Sequence, residues 1–199
     1  MRVTAEADPL LDRPCLGFSV LAWLPRQPRW QALQGELARS VPLPLALTPS
    51  AQMHISIQLL IPVRAERGDK EAVWQTLDVE ARRELRACAE LSSFTLVFDQ
   101  LRILERAIIL VARENDVVRE VRDRFVKLLA RAHMPAPRHD IVHTTLARYR
   151  ASGEFEAPQL RIETTHVRIS SIHLVRERSY GLGDYDGLAQ STLQERWPR

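Results

Sequence analysis

Lysine is nearly missing from this 199-residue chain: Lys70 and Lys127 stand alone, and arginine supplies the rest of the 28 basic side chains. The excess of base over acid is small, +3, and no run of like charges forms the polycationic arm that charge-driven nucleic-acid binding uses. An arginine-rich basic set is compatible with a nucleotide or RNA partner, because guanidinium makes rigid bidentate contacts to phosphate and stacks on bases. A genomic bias toward arginine codons is the plain alternative. Cysteine is equally scarce. Cys15 and Cys88 have neither metal-type spacing nor the even set of a disulfide framework, so two reduced, buried thiols are expected. Long apolar runs are lacking too: no segment reaches the roughly 20 residues that span a bilayer. The N-terminus carries Glu6, Asp8 and Asp12 instead of the apolar stretch of a secretory signal. A cytoplasmic protein with no membrane partner is expected. No Gly-x-Ser-x-Gly elbow or Walker-type phosphate loop occurs, and Gly181-Leu182-Gly183 is too short for a dinucleotide fingerprint and reads as a turn. No carboxylate cluster or Cys/His spacing points to a metal, so neither a metal nor a cofactor is expected.

What is present is ordinary globular material. A 45% hydrophobic share against 27% charged residues supplies a core for one domain or two small packed lobes. Residues 1–14 are mixed and proline-containing and read as an N-terminal lead-in, which leaves 15–199 as a single bilobal domain. Leu16 to Leu24 is apolar on both faces, as a central strand would be. Pro28 suits the first turn of a helix with the stripe Trp30, Leu33 and Leu37, after which Pro42, Pro44 and Pro49 break the chain. A helix is expected over 70–91, with Val73, Leu77, Ala81, Leu85 and Cys88 inward. Phe94, Leu96 and Phe98 alternate as strand, and 101–113 continues in strand. Asn115 or Asp116 caps a helix that buries Val118, Val121, Phe125 and Leu128 and ends at Pro135 and Pro137. Leu160-Arg161-Ile162 and Val167 to Val175 return to strand, before a glycine turn and a short polar end.

Two stretches carry chemistry. In 52–58, Met53, Ile55, Ile57 and Leu59 fall on one face of a period-two pattern, with His54, Ser56 and Gln58 on the other. In 141–147, Val142, Thr144 and Leu146 share a face, with His143, Thr145 and Ala147 opposite. Each strand thus presents an imidazole and a hydroxyl side by side. The surroundings repeat as well: a strand ending at Leu24 precedes His54 by 30 residues, and one ending at Arg113 precedes His143 by 30, each through a helix and a proline-bearing loop. A duplicated unit packed about a pseudo-twofold axis would face the two imidazoles across a groove. His133, His139, His166 and His173 have no partner of matching pattern and read as structural or exposed.

His54-Ile55-Ser56 and His143-Thr144-Thr145, with the continuation Leu146-Ala147-Arg148 and the later Ile172-His173-Leu174 and Gly183-Asp184-Tyr185, resemble the paired His-x-Thr/Ser motifs of the 2H phosphoesterase superfamily. The likeness is greatest to bacterial 2′-5′ RNA ligases, also described as RNA 2′,3′-cyclic phosphodiesterases, and it covers about Leu16 to Leu193. Met53 and Val142 stand where that family often has proline, and Ser56 replaces its commoner threonine. The resemblance implies an α+β fold of two pseudo-symmetric lobes with antiparallel sheets and a central groove. It implies hydrolysis of 2′,3′-cyclic phosphates of RNA ends or nucleotides to 2′-phosphates, with 2′-5′ ligation alongside, His54 serving as acid and His143 as base. Ser56 and Thr145 would hydrogen-bond the phosphate, and Arg148 would touch it or make a surface salt bridge. Two imidazoles of ordinary pKa near 6.5 suit such acid–base work at neutral pH without a metal. Tyr149, Tyr180 and Tyr185 are candidates for stacking on a base, with core or rim packing the alternative. Cleavage of 2′-5′ oligoadenylates or cyclic oligonucleotides, and simple AMP binding, are the competing functions. A monomer is expected.

Overall fold

The structure is a computed structural model that describes residues 1–64, 68–137, 141–181 and 183–195. The first half contains β1 (Arg2–Ala5), β2 (Pro14–Trp23), α1 (Pro28–Ser40), β3 (Leu45–Leu47), β4 (His54–Ile61) and α2 (Lys70–Ala87). The second contains β5 (Phe94–Ile103), β6 (Ala107–Ala112), α3 (Asp116–Arg131), β7 (Val142–Tyr149), β8 (Gly153–Glu156), β9 (Thr165–Ile169), β10 (Ser171–Ser179) and β11 (Asp184–Thr192). The class is α+β. A four-stranded sheet runs β11-β10-β2-β4 and a five-stranded sheet runs β3-β7-β6-β5-β9, with every strand pair antiparallel.

Local chemistry accounts for most element boundaries. Pro28 opens α1, whose buried stripe is Trp30, Leu33, Gln34 and Leu37. The Asp69 carboxylate accepts from the Glu71 and Ala72 amides at the start of α2, and the Asn115 side chain accepts from the Val117 amide at the start of α3. Helix α2 lays its face on β2, with Trp74 stacked on Phe18 at a ring separation of 4.4 Å. β2 is buried along most of its length and sits between β10 and β4, so it is central as its composition implies.

The duplication is visible as β2–α1–β4 and β6–α3–β7, but the halves interlock. α1, which follows β2 in the first sheet, packs on β7 of the second; α3, which follows β6, packs on β4 of the first. β3, from the first half, pairs with β7. Neither repeat can close its core alone, because its helix stripe is covered by the other's strand.

Four expectations need correction. Residues Arg2–Ala5 are a strand paired with β8, with Val3 and Ala5 buried, so the opening segment is part of the fold. Leu160-Arg161-Ile162 is not strand. The polar end is the nine-residue strand β11, whose half-exposed pattern left too few apolar residues to show a period. Cys88 is buried, but Cys15 is only half-buried. His139 and Leu182 lie outside the described residues.

Candidate active site

The strict period-two reading fails inside both histidine strands, at the same place. On β4, Leu21 of β2 lies opposite Ser56 and Val20 opposite Gln58, so Ile57 is an extra residue. On β7, Ile109 of β6 lies opposite Thr145 and Ile108 opposite Ala147, so Leu146 is extra. Each is a β-bulge three residues after a histidine, and a bulge shifts the side chains that follow to the other face, on β4 as far as a second shift at Leu60. Gln58 therefore turns into the core, where it is fully buried and donates to the Leu59 and Pro137 carbonyls, while Leu59 lines the cleft. Ala147 is buried, and Arg148 joins His143 and Thr145. Sequence alternation had put Gln58 beside His54 and Ala147 beside His143.

The two strands are neighbours, β4 at the rim of its sheet against β7 of the other. Between them lies a cleft of about 270 Å³ whose walls include His54, Ser56, His143, Thr145 and Arg148. His54 Nδ1 is 2.8 Å from the Gln52 carbonyl, an arrangement that puts the ring proton on Nδ1 and leaves Nε2 to accept. Nε2 lies 3.4 Å from the Tyr185 hydroxyl, and the edges of Trp23 and Tyr185 flank the ring with centroids 5.5 and 5.3 Å away. Burial pushes the His54 imidazole down to about 4; the Gln52 carbonyl opposes this, and the charges of His143 and Arg148 add to it. His143 is also lowered, by burial first and then by Arg148, against an opposing pull from the Ile141 carbonyl. That carbonyl stands two residues before His143 as Gln52 does before His54, although His143 Nδ1 makes no hydrogen bond of normal geometry among the described residues.

Arg148 is aimed by the N-terminal segment. The Asp8 carboxylate, with no exposed surface, holds Arg148 Nη1 at 3.1 Å and Arg64 Nη2 at 2.9 Å. Both guanidinium groups lie over the Tyr180 ring, at 4.8 and 5.4 Å from its centre. One carboxylate between two guanidiniums leaves a net positive charge at the cleft wall. The turn after β10 closes this end: Gly181 and Gly183 have φ of +83 and +72. A Cβ on Gly181 would sit 2.7 Å from Leu11 and 3.2 Å from Arg148, and one on Gly183 would sit 2.9 Å from the Gln52 Cβ. Only glycine fits there.

Of the aromatic candidates, Tyr149 is wholly buried, Tyr180 sits under the arginines and Tyr185 reaches His54. His173 stays outside the cleft, its Nε2 2.9 Å from the Ser171 hydroxyl, and His133 and His166 are exposed. Sequence reasoning missed Asp8, Arg64 and Glu177. Glu177 lines the cleft, and burial pushes its carboxyl up to about 7 against the pull of Arg148 and of the Gly181 amide. A lone acid in a strand has no spacing signal, and the Asp8–Arg148 pair spans 140 residues. Among the described residues, no three His, Cys, Asp or Glu side chains gather as a metal site would require.

The same architecture occurs in solved structures. The Thermus thermophilus protein TT0787 matches 91% of this chain and 100% of its own at 18% identity, with a TM-score of 0.61. Escherichia coli LigT complexed with 3′-AMP matches over 92% of this chain and 100% of its own, at 17% identity and a TM-score of 0.59. This chain has the LigT fold. A structure described as a phosphoesterase matches 90% of this chain and 99% of its own, at 20% identity and a TM-score of 0.58. No family model matches the sequence, and no curated protein is similar to it in sequence. No helix among the described residues is long and apolar enough to cross a membrane.

Proposed function

We propose that this protein is a 2H phosphoesterase that opens 2′,3′-cyclic phosphates of RNA ends or nucleotides to 2′-phosphates. The observation that carries the reading is the pair of His–hydroxyl units, His54/Ser56 and His143/Thr145, on neighbouring strands of one cleft with Arg148 beside them. His143 takes a proton from water as the water oxygen attacks phosphorus. The P–O3′ bond breaks, and His54 gives a proton from Nε2 to the departing O3′. Ser56 and Thr145 donate to the non-bridging oxygens, where negative charge accumulates, and Arg148 adds a fixed positive charge. With a ribose 5′-hydroxyl in place of water, the same step is 2′-5′ ligation. The LigT fold supports this reading, as does the nucleotide seen in LigT. The chemistry asks for no metal.

A second reading, a nucleotide-binding module, is favoured by one observation: burial holds both imidazoles below their ordinary range, so neither imidazole by itself is a ready acid. One experiment separates these. The protein is incubated in EDTA with 2′,3′-cyclic AMP, a 2′-5′ dinucleotide and a cyclic dinucleotide, and the products are identified. The expected outcome is 2′-AMP from the first substrate. Exclusive turnover of one of the other two would move the assignment to 2′-5′ oligoadenylates or cyclic oligonucleotides. Binding of AMP without turnover of any would establish the module, and abolition by EDTA would refute the metal-free step. His54→Ala and His143→Ala are each expected to slow turnover by at least roughly a hundredfold.

A further inference from the structure

Both bulge carbonyls are hydrogen-bonded by a side chain from the opposite half of the duplication. On β7, the Leu146 carbonyl accepts from the Gln34 side-chain amide of α1 at 2.8 Å, besides the Thr48 backbone amide at 2.9 Å. The same amide nitrogen donates to the Thr48 carbonyl at 2.8 Å. On β4, the Ile57 carbonyl accepts from Arg122 Nε of α3 at 3.2 Å, and the Glu114 carboxylate anchors that guanidinium at 2.9 Å. Ile57 and Leu146 are the extra residues at equivalent places, each three positions after its histidine; β4 has a further one at Leu60. Gln34 is only 6% exposed, and the Arg122 side chain 12%.

We infer that Gln34 and Arg122 are positioning residues that lock the bulges at Leu146 and Ile57 and so hold Arg148 and Leu59 toward the cleft. A bulge interrupts the ladder, and at Leu146 the Gln34 amide adds a second donor to the carbonyl that the Thr48 backbone amide already reaches. A side chain that satisfies this carbonyl selects the bulged register over the regular one, and the regular register would turn Arg148 to the far face. α1 packs on β7 and α3 on β4. Each half's helix thereby fixes the register of the other half's histidine strand, and neither half of the site forms without the other.

The clamp depends on the phosphoesterase reading only for what the site binds, and separate ligands keep the two apart. Binding of adenosine 2′-monophosphate, and separately of inorganic sulfate, is measured with thermal unfolding across a double-mutant cycle. Arg148→Gln is expected to weaken binding about tenfold or more, the scale of a charge-assisted contact. Gln34→Met keeps the side-chain length, removes both N–H donors and should lose nearly as much. Adding Gln34→Met to Arg148→Gln should then lose less than about threefold more, because the two share one effect. A Gln34→Met protein that unfolds earlier yet binds like wild type would overturn the inference, as would losses that multiply in the double variant. Should Gln34→Met fail to fold, Arg122→Met paired with Leu59→Ala on β4, read by adenosine 2′-monophosphate binding, separates shared from multiplying losses in the same way. Wild-type protein that binds sulfate but no nucleotide sinks the functional reading while the sulfate cycle still decides on the clamp.

Discussion

An anion seated between the two histidines must raise their pKa, and His54 is where the effect is largest. Its imidazole is held at about 4 against an ordinary 6.5, a bias against the charged ring of about 3 kcal/mol at 1.36 kcal/mol per factor of ten. One negative charge about 4 Å from the ring contributes about 4 kcal/mol in the other direction at an effective dielectric constant near 20. Sulfate, a stable dianion, should therefore return His54 to the neutral range. The assay is an NMR titration of the imidazole Cε1–H, assigned by its loss in His54→Ala. It runs from about pH 8 to about pH 5, with sulfate or with chloride at equal ionic strength. In chloride, His54 should stay neutral throughout; in sulfate, it should become protonated within the range. Stability carries the same linkage. A depressed histidine pKa means the unfolded chain takes up the proton first, so this contribution is present above about 6.5 and is lost as pH falls toward 4. Sulfate should slow that loss. Titration of His54 near 6.5 in chloride would refute the burial argument, and sulfate binding that leaves His54 neutral would place the anion elsewhere.

Three further outcomes follow from the cleft wall. Asp8→Asn strips the carboxylate from Arg148, which is 20% exposed, and from Arg64, which is 42% exposed. Urea denaturation should show a loss of about 2 kcal/mol, almost all of it from Arg148, since breaking a buried pair is costly and an exposed one is not. Glu177→Gln should stabilise the protein at alkaline pH. Glu177 is raised from 4.5 to about 7, so the folded chain keeps its proton while the unfolded chain loses it, and the penalty grows across that window to about 1–3 kcal/mol. Equal pH profiles for wild type and variant would show that the carboxyl is not held as described. Gly183→Ala places a Cβ 2.9 Å from that of Gln52 at a φ of +72, which should cost about 1–3 kcal/mol and lower kcat by displacing the carbonyl that orients His54. Gly187→Ala, where a Cβ would meet nothing within 4 Å, is the control.

The histidine strands, the three helices and the repeat were legible because each rests on a local signal: period, cap or spacing. Trp30, Leu33 and Leu37 on α1 and Val118, Val121, Phe125 and Leu128 on α3 are buried as their intervals require. What escaped was non-local. Arg2–Ala5 is strand because β8, about 150 residues away, pairs with it, and its four residues are too few to show a pattern. Asp8 counted in the sequence only as one of three acids near the N-terminus, yet it is buried against two arginines from elsewhere in the chain. The bulges escaped for a different reason. On β7 the residues at the bulge, Leu146-Ala147, are consecutive apolar residues, and alternation is lost where the register changes. On β4 Gln58 keeps an apparent alternation past Ile57, and the apolar run Leu59-Leu60-Ile61 marks only the second shift at Leu60.

That loss of alternation tells how a duplicated unit yields one site. Two copies of a strand–helix–strand unit placed side by side would give two separate His–hydroxyl pairs, each with its later residues turned away. The bulge reverses that turn in both copies, and from equivalent positions it brings forward different side chains, Leu59 on one strand and Arg148 on the other. The fold is pseudo-symmetric, but the cleft is not. Its cationic wall stands on the β7 side, anchored by Asp8 and Tyr180, while the His54 side is closed by Trp23, Tyr185 and Leu59. On the proposed reading, a phosphodiester entering such a cleft would meet a charged face and an apolar face, and these would set the direction in which its two ester oxygens lie between the imidazoles. Exchanging Leu59 for arginine would make the two walls alike. It should raise affinity for sulfate while lowering the preference between 2′- and 3′-phosphate products, and a product ratio unchanged in that variant would refute an orienting role for the asymmetry.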